Sequence, residues 1–303
     1  MTKFPYDQFS KEYLSELLSR LGEVKTDEKV RGQRREIDVL FTPKSQSSAA
    51  AQLLGLLGKI ASTPCILEPF RMAARPPEIR SCLSKLFDVI AKLENQAERE
   101  NTRISEEDLP MLWIFSPTAS TTLLNGFGAI PAGENWLPGV YFLGNYLKAA
   151  IVAIHQLPRT SETLWLRLLG KGRVQEQAID ELEALPANDP LRDAVLELLR
   201  SLRAILETSQ DLEQEDRNLI MRLSAMYEER LAEATQEGQR QGQRQGQRQG
   251  QRQVVENLLK VRFGEVDEQL AAIINPLLQL PPEEFTPLLL QLSREELLAR
   301  FSG

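Results

Sequence analysis

The sequence predicts an α/β protein with a mixed sheet flanked by helices, followed by an all-α C-terminal half that contains a long helix. Up to residue 157, short β-branched or aromatic runs alternate with amphipathic helical patterns, which is typical of a sheet covered by helices. After residue 157 only leucine-rich helical patterns occur. A four-residue repeat then connects two of these patterns, and it favours one continuous helix.

The first predicted elements are a helix and a strand pair. Residues 6–21 carry apolar side chains at helical spacing, and Gly22 follows where a helix commonly ends. Two strands are predicted over 24–30 and 36–41, joined by a turn at 31–34 that contains a glycine.

A helix and a strand come next. Small and apolar residues predict a helix over 49–60, and Cys65-Ile66-Leu67-Glu68-Pro69-Phe70-Arg71 opens as a buried strand. Pro69 has no N–H to donate, so the strand either ends there or lies at a sheet edge. A long helix is predicted from Pro76 to Glu100, with prolines in its first turn, where they are tolerated.

Three further strands complete the predicted sheet, at 112–115, near 140–143 and at 150–154, with a short helix over 118–125. The segment from 126 to 138 is predicted as a loop. Strands that alternate with long helices imply a mixed sheet with both faces covered.

Each of two predicted strands carries one acid among apolar neighbours, Asp38 in the first and Glu68 in the second. A carboxylate inside a strand is costly unless it is paired, hydrogen-bonded or bound to a metal. Mg²⁺ takes oxygen ligands and often only one or two protein carboxylates. Two such acids on adjacent strands therefore predict a site for a hard cation.

The order of elements over residues 4–157 resembles the core of the PD-(D/E)XK nucleases. The similarity consists of a helix, a charged strand pair, a strand with a central Asp38, a strand with Glu68, and a long helix. More narrowly, the chain resembles the bacterial recombination-promoting nuclease/putative transposase group. This resemblance implies a restriction-endonuclease-like fold, DNA as a partner, and metal-dependent cleavage with Mg²⁺ or Mn²⁺ as cofactor. Asp38 and Glu68 would be catalytic metal ligands, with the Leu67 carbonyl as a further oxygen.

The chain departs from the family at one position. The family places a lysine two residues after the glutamate, and this chain has Phe70 there. Arg71 is a candidate catalytic cation, although in a regular strand it points to the opposite face, so Pro69 would have to break the regularity. The other candidates for a relocated cation are Arg35, Arg80 and Lys85.

The resemblance also suggests a third metal ligand from the first helix, Glu16, whose alternative role is that of a solvated surface acid. The missing lysine leaves two functions open. One is an active nuclease, and the other is a degenerate nuclease fold that acts as a nucleic-acid-binding or oligomeric protein-interaction module.

Composition bears on three further classes of protein: nucleic-acid-binding proteins, zinc proteins, and membrane or secreted proteins. The net charge is −7, yet residues 1–150 hold 18 basic and 18 acidic side chains, so a local basic groove is permitted there. Cys65 and Cys82 are expected to be buried thiols, and one histidine, His155, cannot supply a histidine-rich zinc site. No apolar run is long enough for a membrane span and the first residues lack a secretory pattern, so we expect a cytoplasmic protein without membrane contact.

The second half divides into three predicted segments: a helical extension over 158–237, the repeat Gly-Gln-Arg-Gln over 238–253, and a small helical domain over 254–303. Four glycines cost a helix roughly 4 kcal/mol relative to alanine, while Gln, Arg and the flanking helices favour it. The sequence thus predicts a marginal helix from 212 to about 262, with a flexible linker as the alternative. The four arginines either contact phosphates or belong to a solvated spacer.

The last fifty residues resemble a C-terminal domain of unknown function that often follows these nuclease-like proteins. Their leucine-rich helices are near the lower size limit for independent stability. We therefore expect them to pack on the long helix or on another subunit, and a homo-oligomer formed through the C-terminal helices is a possible assembly.

Overall fold

A computed structural model describes residues 5–29, 36–44, 48–208 and 212–301 of the chain. It confirms the α/β class with a mixed sheet flanked by helices and a helical C-terminal half. The chain forms two compact units, one up to Ala225 and one from Met226 onward.

The first unit opens with the predicted helix and strand pair. Helix α1 spans Pro5–Leu18, strand β1 spans Gly22–Lys29 and strand β2 spans Glu36–Pro43. The predicted turn at 31–34 lies outside the described residues. The predicted helix over 49–60 is two helices, α2 (Ser48–Leu53) and α3 (Leu56–Ile60). They separate at Gly55, whose φ of +52° interrupts a helix and is most easily adopted by glycine.

The remaining sheet elements follow in order. They are β3 (Cys65–Pro69), α4 (Pro76–Arg99), β4 (Met111–Ser116), α5 (Thr121–Gly126), β5 (Ile130–Pro131), β6 (Val140–Phe142) and β7 (Ala149–Ala153). Strand β5 lies in the segment that was predicted as a loop. The sequence did not predict it because two residues are too few to give a periodic pattern. Strand β3 ends at Pro69, as one of the two predictions for this proline requires.

The seven strands form one sheet in the order β1-β2-β3-β4-β7-β6-β5. The pairs β3–β4 and β4–β7 are parallel, and the others are antiparallel. Helix α4 covers one face through a core that includes Ile66 and Ile114 from the sheet and Ile79 and Leu86 from the helix. Strand β3 lies inside the sheet, between β2 and β4. Its Ile66 packs against α4.

Three helices complete the predicted extension: α6 (Leu164–Arg167), α7 (Arg173–Glu183) and α8 (Arg192–Glu207). Helix α8 packs against α1. The Tyr13 hydroxyl donates a hydrogen bond to the Trp165 carbonyl at 2.7 Å, and the Trp165 indole N–H donates to the Leu53 carbonyl at 2.9 Å. The extension as far as Ala225 and the sheet region consequently share one compact unit, so the predicted boundary at 237 falls inside the second unit.

Helix α9 runs from Gln214 to Phe263 without interruption, which confirms the predicted helix through the repeat. The second unit adds α10 (Glu268–Leu277), α11 (Pro282–Gln291) and α12 (Arg294–Phe301). Val255 and Leu259 of α9 share a buried cluster with Leu270, Phe285 and Leu297. The tail thus packs on the end of the long helix, one of the two predicted arrangements. Within the described ranges, no helix has the length and apolarity that crossing a bilayer requires.

Candidate active site

The two acids singled out in the sequence lie side by side in the sheet. Strands β2 and β3 are antiparallel, and Val39 pairs with Leu67. Asp38 precedes Val39 and Glu68 follows Leu67, so the two acids lie opposite each other. Their side chains therefore point to the same side of the sheet. The backbone N–H of Asp38 also donates a hydrogen bond to the Glu68 carboxylate. Strand register alone thus brings the two carboxyl groups together.

Helix α4 places a cation on this acid pair. The Lys85 Nζ lies 2.9 Å from Oε1 and 2.8 Å from Oε2 of Glu68. One turn earlier, the Cys82 thiol lies 3.7 Å from Oε2 of the same carboxylate. Residues three apart lie on the same face of a helix, so both side chains reach Glu68 from above the sheet. Glu68 is only 2% exposed.

Helix α1 supplies a second buried cation, Lys11. Its Nζ lies 3.2 Å from Asp38, 2.8 Å from Asp27 and 3.0 Å from Asp7, and its side chain is 7% exposed. The cluster of Asp7, Lys11, Asp27, Asp38, Glu68 and Lys85, hereafter the acid cluster, contains four acids and two lysines. Fully ionised, its carboxylates outnumber its ammonium groups.

Burial and nearby negative charge raise the pKa values of two acids of this cluster, Asp38 and Glu68. Burial and then the charge of Asp38 raise the pKa of Glu68 to about 7, although Lys85 opposes the shift. Burial also raises the pKa of Asp38, against the charges of Lys85 and Lys11. Glu68 consequently exchanges its proton near neutral pH, which is uncommon for a glutamate.

The pKa values of the two lysines are raised, although burial by itself would lower them. Burial alone would lower the pKa of Lys85, but the charge and hydrogen bonds of Glu68 raise it above its ordinary value. The pKa of Lys11 is likewise raised, because its hydrogen bonds with Asp27 and Asp7 outweigh burial. Both side chains are therefore cationic at neutral pH.

Arg71 lies in a different network. Its guanidinium stacks on the Tyr6 ring, 3.6 Å from the centroid, and donates to the Asp216 carboxylate at 2.9 Å. It also donates to the Gly170 carbonyl and to the Gln175 side chain, each at 3.0 Å. These contacts connect the segment after β3 with α1, α7 and the start of α9. In this structure the Arg71 guanidinium therefore holds these elements together.

Glu16 and the remaining cation candidates are also separate from the acid pair. Glu16 lines a cleft of about 370 Å³ together with Lys11, Asp27 and Leu198. Across the described residues, no group of three or more His, Cys, Asp or Glu side chains has the arrangement of a metal site, so Glu16 does not complete one. Arg80 is exposed on α4, and Arg35 lies outside the described ranges.

Sequence reasoning did not identify Lys11 and could not choose Lys85. Lys11 shares one face of α1 with the buried Leu14 and Leu18, and a cation on an apolar helix face indicates a buried acid partner. That signal was present in the sequence. Lys85 was one of three alternatives, and its selection requires the packing of α4 on β3.

Two adjacent carboxylates are ligands of the type that a small hard cation takes. Mg²⁺ is often held through one or two carboxylates, with water and substrate phosphate as its other ligands. Asp38 and Glu68 offer two adjacent carboxylates, and a cation would relieve the repulsion that raises the pKa of Glu68. Both carboxylates contact lysine ammonium groups in this structure, so a metal would have to displace part of these contacts. Comparison of the chain with protein-family models, with curated proteins and with solved structures found no match.

Proposed function

We propose that the protein is a metal-dependent phosphodiesterase that cleaves DNA in the manner of the PD-(D/E)XK nucleases. The observation that supports this most is the contact of Lys85 with both carboxylate oxygens of Glu68, beside Asp38. An acid pair with an adjacent lysine is the set of groups that the resemblance implies. Here the lysine comes from α4, which offers an account of why Phe70 can stand at the family's lysine position.

The roles follow from the chemistry of each group. Asp38 and Glu68 would hold Mg²⁺ or Mn²⁺, which supplies an activated water and stabilises charge on the phosphate. Lys85 carries a compact charge on a flexible stem, so it can move from Glu68 to a phosphate oxygen of the substrate. Lys11 keeps Asp38 in place through its contacts with Asp27 and Asp7, which makes it a positioning residue.

A second function is favoured by a different observation. Glu68 is 2% exposed, and both acids already have lysine partners. Buried ion pairs of this kind are satisfied without a metal. The alternative proposal is therefore a catalytically degenerate nuclease fold that binds nucleic acid or acts as an oligomeric protein-interaction module.

Plasmid nicking separates the two functions. Wild-type protein is incubated with supercoiled plasmid and Mg²⁺ or Mn²⁺, beside an Asp38→Ala/Glu68→Ala variant and an EDTA control. We expect nicking by the wild type that EDTA and the double substitution both abolish. Lys85→Ala is expected to lower the rate by about 10²-fold or more, as removal of a charge-stabilising group commonly does.

Lys92→Ala is the matched control for Lys85, because Lys92 is an exposed lysine on the same helix, 3.8 Å from Glu28. It is expected to cut at the wild-type rate. If the folded wild type cuts no faster than the double variant, the degenerate fold is the better account. If Lys85→Ala and Lys92→Ala cut equally fast, the role given to Lys85 is wrong.

A further inference from the structure

A second candidate site lies at the same end of the sheet as Glu68. A cavity of about 620 Å³ lies where the chain leaves the parallel strands β3 and β4. Ligands of open α/β sheets commonly bind outside the carboxyl ends of parallel strands, in cavities of about 300–1,000 Å³. Glu68 is the penultimate residue of β3, so the cavity and the acid cluster share this strand end.

One buried serine connects two segments that line the cavity. The Ser116 hydroxyl accepts a hydrogen bond from the backbone N–H of Ala74 at 3.0 Å and donates to the Thr118 carbonyl at 2.7 Å. Ser116 is fully buried. It thereby joins the segment before α4 to the segment before α5, and both segments line the cavity.

The lining combines cationic, hydroxyl and apolar groups. Arg75 and Arg80 supply positive charge, Thr118 and Ser120 supply hydroxyl groups, and Leu123 and Phe127 supply an apolar wall. The described lining residues include no Asp or Glu, although the whole chain carries a net charge of −7. The described lining thus carries basic and no acidic side chains, although the chain as a whole is acidic.

The two arginines differ in their partners. The Arg75 guanidinium is held by Glu78, with contacts of 2.7 and 3.2 Å to one carboxylate oxygen. Arg80 is exposed and forms no ion pair with the described residues. The planar guanidinium of arginine binds phosphate and carboxylate groups through paired N–H groups. Arg80 is therefore the group that an incoming anion would meet.

We infer that this cavity binds one unpaired nucleotide of a nucleic-acid strand, with the phosphate on Arg80 and the base or sugar against Leu123 and Phe127. A paired base is stacked inside a duplex and cannot enter a cavity, so the nucleotide has to be unpaired. This inference rests on the proposed function, because it specifies the substrate of that site as a strand with an unpaired segment.

Binding of a short fluorescein-labelled single-stranded oligonucleotide, followed by anisotropy, tests the inference. The full-length protein is used in EDTA, so that the result does not depend on cleavage. Arg80→Ala is expected to weaken binding about tenfold and to lower the slope of log Kd against log salt by about 0.7, the contribution of one phosphate contact in a single strand. Its matched control, Arg99→Ala, removes another exposed arginine of α4 that does not line the cavity.

A second variant fills the cavity without touching a charge. Gly126 lines the cavity, and a Cβ there would meet no atom within 4 Å, so Gly126→Leu is expected to fold and to weaken binding. Gly133→Leu is its control, since Gly133 also has open space around it but lies outside the lining. A labelled duplex of the same sequence is expected to bind less tightly than the single strand.

Several outcomes would overturn the inference. They are no binding of the oligonucleotide by the wild type, equal binding by the variants and their controls, or an Arg80-dependent site that takes only a free nucleoside monophosphate. Arg80-dependent binding with an uncut plasmid would leave the nucleotide site standing and reject the nuclease. Plasmid nicking with unchanged binding by Arg80→Ala and Gly126→Leu would reject the nucleotide site alone.

Discussion

At the scale of single residues, the acid cluster depends most on Glu68. Its carboxylate receives a backbone N–H from β2, a thiol and an ammonium group from α4, and it is almost fully buried. A buried carboxylate favours its neutral form unless cations compensate it. Here the compensation by Lys85 is incomplete, because the adjacent Asp38 is also negative, and the pKa of Glu68 rises to about 7.

This shift predicts how stability depends on pH. The pKa of Glu68 rises from 4.5 in the unfolded chain to about 7 in the folded protein, so the folded state binds the proton more tightly. The resulting stabilisation is fully present below the unfolded pKa and is lost as pH rises through the folded pKa. Between about pH 5 and pH 8, wild type should lose on the order of 3 kcal/mol of unfolding free energy relative to Glu68→Gln.

Denaturant unfolding in EDTA at a series of pH values measures this difference. Glu68→Gln is the reference because the amide occupies the same volume and does not titrate. Comparison within the pair cancels the groups that do not interact with Glu68, and the difference that remains belongs to Glu68 together with its charged neighbours Asp38 and Lys85. Parallel pH curves for the two proteins would show that Glu68 keeps an ordinary pKa and that the ion pair with Lys85 compensates its burial completely.

Part of the site was predictable from the sequence, for a clear physical reason. An acid within an apolar strand needs a partner, so Asp38 and Glu68 stand out without any knowledge of the fold. Their cations do not, because a lysine on a helix can reach any of several strands. Lys85 became identifiable only through the packing of α4. Arg71 was the candidate at the strand end, but it contacts Tyr6 and Asp216 instead.

At the scale of elements, length decided which predictions held. The helix from Pro76 and the helix through the repeat were predicted to within two residues at each end, because many periodic positions define them. The break between α2 and α3 at Gly55 was missed because the close approach of Glu162, which leaves no room for a Cβ at Gly55, is visible only in the fold. That contact is tertiary, and the local sequence does not contain it.

Helix α9 gives a prediction at this scale. Gly242 and Gly246 lie inside the helix, and a Cβ at either position would meet no atom within 4 Å. Alanine should therefore stabilise the local helix by about 1 kcal/mol at each site, without any steric cost. In Gly242→Ala/Gly246→Ala we expect slower amide hydrogen exchange across residues 238–253, by roughly fivefold per substitution if exchange proceeds by local opening.

Gly58→Ala is the opposing control. A Cβ at Gly58 would lie 1.9 Å from the Ala51 carbonyl oxygen, so this substitution should destabilise the first unit. Unchanged exchange in the repeat of the double alanine variant would mean that the segment is not helical in solution. The linker predicted as the alternative would then describe it better.

At the scale of the whole molecule, the sheet region and the helical extension are one folding unit. Helix α8 packs on α1 and buries Val195, Leu199 and Leu202. Arg71 links the segment after β3 with Asp216 near the start of α9. The nuclease-like region predicted over 1–157 thus ends inside a continuous core, and the structure divides the chain only after Ala225.

This organisation predicts the behaviour of two fragments. Residues 1–225 should fold and melt cooperatively. Residues 1–157 should not, because they lose the cover of α1 and the partners of Tyr13 and Arg71. Each large apolar side chain that stays exposed forfeits about 1.5–3 kcal/mol, and a few such losses equal the stability of a typical domain. Thermal unfolding followed by circular dichroism, with size-exclusion chromatography, compares the fragments.

The melting of the two fragments also shows whether the acid cluster needs the helices after residue 157. If the fragment 1–157 melts as sharply and at the same temperature as 1–225, the helices after residue 157 are an appendage and the acid cluster needs only the sheet and its two helices. If it aggregates or melts without cooperativity, the extension belongs to the scaffold that holds α1. Lys11 would then depend on helices distant in sequence for its position beside Asp38.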